Sequence, residues 1–230
     1  MSQLVLPLRL ADHAVFASFL DDGNEALVAT LASLAAGEPG QGCWMWGAEA
    51  TGKTHLLQAV CDRAGDRSVY LPLATLAEAG PEMLEGLASR ELVCIDDADR
   101  VAGDEVWEMG LFNLFNDLQE AGCRLLVAAT TAPRECDFKL PDLASRMTRL
   151  PVFQVHALGE PQRVAALQLR ARHRGLELPD ETAGYLIRRS RRDMASLYSL
   201  LDRLDLEALR AQRRLTIPFV RDVLQQDAGD

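Results

Sequence analysis

Gly47-Ala48-Glu49-Ala50-Thr51-Gly52-Lys53-Thr54 is the stretch on which the reading of this chain turns. Its spacing is G-x-x-x-x-G-K-[ST], and it lies between an apolar run, Cys43-Trp44-Met45-Trp46, and a segment with one apolar side, His55-Leu56-Leu57-Gln58-Ala59-Val60-Cys61. Strand, loop and helix in that order are the context in which such a loop cradles phosphate. Gly47 and Gly52 let the backbone curl until successive N–H groups face one point, and the helix that begins after them contributes its positive end. The whole loop, Gly47, Ala48, Glu49, Ala50, Thr51, Gly52, Lys53 and Thr54, is therefore expected to bind the phosphates of a nucleotide. In that role Lys53 reaches the β- and γ-phosphates and the Thr54 hydroxyl ligates Mg²⁺.

Outward from the loop, apolar runs alternate with helical patterns. Residues 68–73 and 92–95 read as a second and third strand, 124–129 as a fourth and 152–155 as a fifth. Helices are expected over 25–34, from Pro81 through 82–87, and over 104–121. Continuous apolar strands separated by helices predict an α/β fold, a parallel sheet flanked by helices on both faces. The third strand runs into Asp96-Asp97, with Asp99 beyond, and ligands of open α/β sheets gather at the carboxyl ends of the strands. Asp96 is placed there to hold Mg²⁺ through water, and Asp97 to orient an attacking water. An Asp turn that caps the next helix is the plainer alternative. The fourth strand ends in Thr130-Thr131, polar groups at the same edge.

Beyond about residue 157 the pattern becomes purely helical: 160–174, a segment opened by Pro179-Asp180-Glu181, 192–209, and a last one after Thr216-Ile217-Pro218. Arginines concentrate here (Arg188, Arg189, Arg191, Arg192, Arg210, Arg213 and Arg214), and most read as solvated helix surface. The chain as a whole carries a net charge of -10 over 230 residues, which argues against a sequence-independent grip on nucleic acid. Five scattered cysteines without a C-x-x-C pair point to reduced thiols, mostly in the core. With neither a signal peptide nor a membrane-length apolar run, a cytoplasmic location is expected.

A phosphate loop, five strands and a helical appendage resemble the AAA+ ATPases. That resemblance implies a five-stranded sheet in the order 5-1-4-3-2 and a helical lid over the nucleotide, with domains at 13–156 and 157–230. It implies that Thr130 is the polar sensor (Thr131 is nearly as well placed), that Arg146 of Leu143-Ala144-Ser145-Arg146 reaches into a neighbouring subunit's site as an arginine finger, and that Arg192 of Arg192-Asp193-Met194-Ala195-Ser196-Leu197 is the lid's sensor arginine. Asp96-Asp97 replaces the Asp-Glu of most of that superfamily and is similar to DnaA. The shorter second acid withdraws its carboxylate by about 1.5 Å, which argues against fast hydrolysis at the chain's own site.

Gln3-Leu4-Val5-Leu6-Pro7-Leu8 resembles the Q-L-x-L-P-L peptide that docks on the bacterial sliding clamp. A short terminal peptide of this kind can place Leu4, Leu6 and Leu8 in a pocket while Pro7 keeps it extended and the Gln3 amide sets register. A frayed terminus or an edge strand is the alternative, and the tail is taken as 1–12. Residues 102–109 and 140–146, together with this peptide, resemble the Hda family of DnaA-homologous regulators. The resemblance implies ADP or ATP with Mg²⁺ as ligands, Phe16 and Phe19 walling the adenine, and the sliding clamp and DnaA as partners. It also implies a possible homo-oligomer, at most indirect or weak contact with DNA, and stimulation of DnaA's ATP hydrolysis that inhibits re-initiation of replication. A helicase loader or initiator paralogue of the AAA+ type stays open as an alternative, and a small-molecule kinase on a phosphate-loop fold as a second.

Overall fold

The computed structural model describes residues 14–189 and 194–226. After a single 3-10 turn at Phe16–Ser18, the elements run α1 (Glu25–Ala35), β1 (Cys43–Trp46), α2 (Lys53–Ala64), β2 (Ser68–Pro72), α3 (Leu73–Leu76), β3 (Leu92–Asp96), α4 (Glu105–Ala121), β4 (Arg124–Ala129), α5 (Pro141–Met147) and β5 (Val152–Gln154). Four helices follow: α6 (Glu160–His173), α7 (Asp180–Arg189), α8 (Met194–Ala211) and α9 (Ile217–Gln226). The five strands are parallel and lie in the order β2-β3-β4-β1-β5. That is the order expected of an AAA+ domain.

The sheet divides its side chains by the two-residue period of a strand. Cys43 and Met45 of β1, Leu92 and Cys94 of β3, and Leu126 and Ala128 of β4 pack on one face with α1 and α2. Trp44, Val93, Ile95, Leu125, Val127 and Ala129 pack on the other, with Trp107, Leu111, Leu114 and Leu118 of α4. All five residues of β3 are buried, as the central position of a sheet covered on both faces demands. Four of the five cysteines are buried free thiols, and burial pushes those of Cys43 and Cys136 up to about 12.

Two elements differ from the sequence reading. The second strand stops at Pro72, and Leu73 opens the short α3 instead of extending the strand. The helix expected through 82–87 is a 3-10 segment, Pro81–Leu84, followed by a separate one at Leu87–Ser89. Glu85 is extended and Gly86 left-handed between them, which no continuous helix tolerates. Elsewhere the ends agree closely; α4 begins where expected because the Asp104 carboxylate accepts the Val106 and Trp107 N–H groups. The helices α6 to α9 enclose a third apolar cluster around Leu167, Leu186, Leu197, Leu201 and Val220. Among the described residues, no helix is long and apolar enough to cross a membrane.

Candidate functional site

The phosphate loop leaves the carboxyl end of β1 and turns into α2. Gly52 stands at φ +99°, where an added Cβ would lie 2.7 Å from the Phe19 ring, so glycine is required there both for backbone conformation and for space. Lys53 is 6% exposed. Its ammonium donates to the carbonyl oxygens of Gly47 at 2.7 Å and Ala48 at 2.8 Å, folding the loop around a buried positive charge. Burial lowers its pKa, opposed by Asp96, Asp97, Asp99 and Glu49. Thr54 occupies the exposed side of the first turn of α2.

The acids sit at the neighbouring strand tip. Asp96 is 1% exposed, and both of its oxygens are engaged: the Tyr70 hydroxyl donates to one at 2.8 Å and the Asp97 N–H to the other at 3.1 Å. Asp97 adopts a left-handed conformation, φ +55°, uncommon away from glycine and characteristic of special sites. Its pKa is raised by burial, with repulsion from Asp96 and Asp99 adding to it. Asp99 accepts the Thr130 hydroxyl at 2.5 Å and the Thr130 N–H at 3.3 Å. Of the two threonines, Thr130 thus joins the acid cluster, whereas the Thr131 carbonyl accepts the indole N–H of the buried Trp44 at 3.0 Å. Among the described residues no three His, Cys, Asp or Glu converge as a metal site by themselves. Asp96 and Thr54 suit Mg²⁺ in its common mode, one or two protein oxygens completed by phosphates and water.

Beside the loop lies a cleft lined by Phe19, Leu20, Asn24, Ala50, Thr51, Gly52, His55, Leu158, Met194 and Tyr198. It brings together the segment before α1, the phosphate loop, the connection after β5 and the lid helix α8. Phe19 lines it and also packs on the core cluster beneath; Phe16 packs on the same cluster and is outside the cleft lining. The His55 Nε2 donates to the Val15 carbonyl at 2.9 Å and its ring lies 5.4 Å from that of Phe19, so α2 itself holds this segment in place. Burial lowers the pKa of His55, and Arg170 and His173 lower it further. Arg192 and the tail residues Gln3, Leu4, Leu6, Pro7 and Leu8 lie outside the described residues.

Arg146 stands elsewhere. Its guanidinium donates to the Gln119 side-chain oxygen at 3.2 Å and lies 5.9 Å and 5.8 Å from the ring centroids of Phe112 and Phe115. With Arg124, Arg149 and residues 40–42 it borders a groove of about 330 Å³. These surroundings are the amino ends of β1 and β4, opposite the phosphate loop across the length of the sheet. The segment leading into its helix is tied down by Glu108, a fully buried carboxylate that accepts the N–H groups of Gly103, Lys139 and Leu140 at 2.7, 3.0 and 2.6 Å.

Tyr70, Asp99, Glu108 and His55 hold this architecture without having been singled out as site residues. Asp99 alone carried a signal, its place just beyond the two strand-end acids. The others resemble ordinary strand or helix residues until the elements pack.

Residues 160–224 match the family model described as the Hda lid domain. That match spans the helical part of the fold, α6 through most of α9. Solved structures agree with that fold. Domain III of the replication initiation protein DnaA from Thermotoga maritima superposes with a TM-score of 0.75 at 20% identity, over 95% of this chain and 98% of that one. AMPPCP-bound DnaA from Aquifex aeolicus gives 0.68 at 22% identity, over 87% of this chain and 68% of that one. The RuvB Holliday junction branch migration motor of Thermotoga maritima gives 0.63 at 19%, over 91% and 72%.

Proposed function

We propose that this Hda-like chain is an adaptor that binds an adenine nucleotide with Mg²⁺, docks on the DNA-loaded sliding clamp through residues 3–8, and stimulates hydrolysis of ATP held by DnaA. Re-initiation of replication is thereby restrained. The observation that carries the reading is the separation of two halves of an ATPase site within one chain. The phosphate loop, Lys53 and the acids Asp96 and Asp97 stand at the carboxyl edge of the sheet, and Arg146 stands at the amino edge. β1 alone spans about 13 Å, so Arg146 and its own chain's phosphate loop serve different ligands.

In this mechanism Lys53 and the N-terminus of α2 hold the phosphates of ATP or of ADP, the ligand of the active form, while Thr54 and Asp96 hold Mg²⁺. Asp97, whose carboxylate is one methylene shorter than that of Glu, makes a poor organiser of water, so the chain's own turnover is slow. Arg192 and Thr130 sense the phosphates. Arg146 rests on a neutral amide and two aromatic faces, with no acid paired to it among the described residues, and so can offer its charge to the γ-phosphate on DnaA. Such fingers contribute about 10³ to 10⁵ in rate.

Single-turnover hydrolysis of DnaA-bound ATP, with clamp loaded on DNA, tests the reading. Arg146→Ala and Arg146→Lys should retain ADP affinity and clamp binding yet lose stimulation, because the planar fork of arginine is not reproduced by lysine. Gln3, Leu4 and Leu6 changed together to Ala should remove clamp binding and leave ADP affinity unchanged. Full stimulation by Arg146→Ala would refute the finger role.

A further inference from the structure

The cleft beside the phosphate loop has walls of unlike origin. The core supplies Phe19, pressed against Gly52, and His55; the lid helix α8 supplies Met194 and Tyr198. Tyr198 is the aromatic residue that α8 contributes to the lining, and its ring is not free to turn. The Arg170 guanidinium of α6 stacks over it, 4.4 Å from the centroid, a close cation–π contact. Arg170 is itself 6% exposed and pinned: Asp202 lies 3.6 Å from it and holds Arg174 at 2.7 Å. Among the described residues the Nε of Arg170 has no hydrogen-bond partner, and its stack on Tyr198 and its acid orient the side chain.

We propose that Tyr198 is the lid residue that stacks on the base of the bound nucleotide, and that Arg170 is a positioning residue that fixes the plane of its ring. The inference rests on the nucleotide reading above and assigns the lid's share of that site. A nucleotide whose phosphates lie on α2 enters the cleft past Ala50, Thr51 and Gly52, which line its near side. Apart from Asn24 the remaining lining is apolar or aromatic and carries no Lys or Arg, which suits a base and not further phosphate. Phe19 and Tyr198 then offer a ring from each domain, and the base joins the two. Stacking of this kind tolerates any base, with purines gaining more through their larger rings.

The two contributions separate when ADP and inorganic pyrophosphate are titrated calorimetrically into wild type and variants. Tyr198→Leu should weaken ADP about tenfold or more and leave pyrophosphate unchanged, while Tyr198→Phe stays within about twofold of wild type for both. Arg170→Lys keeps the charge but loses the planar stack, so it should weaken ADP about threefold with pyrophosphate again unchanged. The double variant, Tyr198→Leu with Arg170→Lys, should be no worse than Tyr198→Leu alone, because Arg170 acts through the ring. Unaltered ADP affinity in Tyr198→Leu would overturn the assignment. So would equal loss for ADP and pyrophosphate, which marks general damage to the lid, and so would additive losses in the double variant for the role of Arg170. A wild-type protein that binds pyrophosphate but binds ADP no better would overturn it while sparing the phosphate loop. One that binds neither would overturn the nucleotide reading itself.

Discussion

The sheet domain and the lid handle charge in opposite ways. In the sheet domain the two packed layers are apolar apart from Glu108, whose carboxylate is satisfied by backbone N–H groups, and Lys53, Asp96, Asp97 and Asp99 are gathered at the strand tips. In the lid, charge lies between the helices: Arg170 of α6 and Arg174 just beyond its end reach Asp202 and Asp205 of α8, the arginine side chains being 7% and 10% exposed. Charge held at a rim can be compensated by a ligand. Charge enclosed between two helices is compensated only by its neighbours and fixes how those helices align. The sheet domain thus keeps its electrostatics available for binding, and the lid spends most of its own on assembly, with the contact of Arg170 on Tyr198 as the point where the two uses meet.

The largest effect that would break this contrast is on ligand affinity. Lys53→Ala removes the rim cation and should reduce ADP affinity by about 100-fold or more, since its charge-assisted contact to the terminal phosphate is lost. Calorimetric titration measures it; an unchanged affinity would mean that the charges at the strand tips do not serve phosphate. Stability should change much less, because in the folded chain Lys53 bonds only to carbonyls of its own loop.

The next effect concerns the lid. Asp202→Ala leaves Arg174 and Arg170 facing each other without their shared acid and should cost about 2 kcal/mol. This is below the usual figure for a broken buried pair because Asp202 is 41% exposed. Hydrogen exchange should show α6 and α8 losing protection while β3 and β4 keep theirs. Equal loss across the sheet would show that the two regions open as one unit and erase the distinction.

The smallest effect belongs to Asp97. Its pKa is raised in the folded protein by burial and by the repulsion of Asp96 and Asp99, so the folded state binds its proton more tightly than the unfolded chain does. The ionised carboxylate therefore costs stability at neutral pH. That cost is absent below the unfolded pKa of about 4 and is incurred as pH rises through the folded value. Asp97→Asn keeps the shape, tolerates φ +55°, and should raise the melting temperature by about 1–3 °C at pH 7. Below about pH 4 it should give no gain. A gain independent of pH would remove charge repulsion as its cause.

Much of the sheet domain was legible because its signals are local. A strand whose two faces are both covered must be apolar throughout, as Leu92-Val93-Cys94-Ile95 is, and a phosphate loop needs its glycines at fixed spacing within eight residues. The breaks at Pro72 and Gly86 were harder, because helical and extended backbone compete there within two or three residues. The lid's surface arginines were legible as a class, yet two arginines outside that set, Arg170 and Arg174, turned out to be the enclosed ones.

By itself, then, the sequence determined the class of fold, the parallel strands, the G-x-x-x-x-G-K-[ST] loop between strand and helix and the acids at the neighbouring strand's end. Each of these follows from residues adjacent in the chain, where backbone conformation and two- or four-residue periods leave few alternatives. The tertiary structure alone decided which groups hold those residues in place. Tyr70 meets Asp96 across 26 residues and Thr130 meets Asp99 across 31. Phe19 lines the cleft, and Arg170 settles on Tyr198. Such contacts depend on which elements become neighbours and at what register, a matter of packing whole helices and strands together that no local pattern encodes.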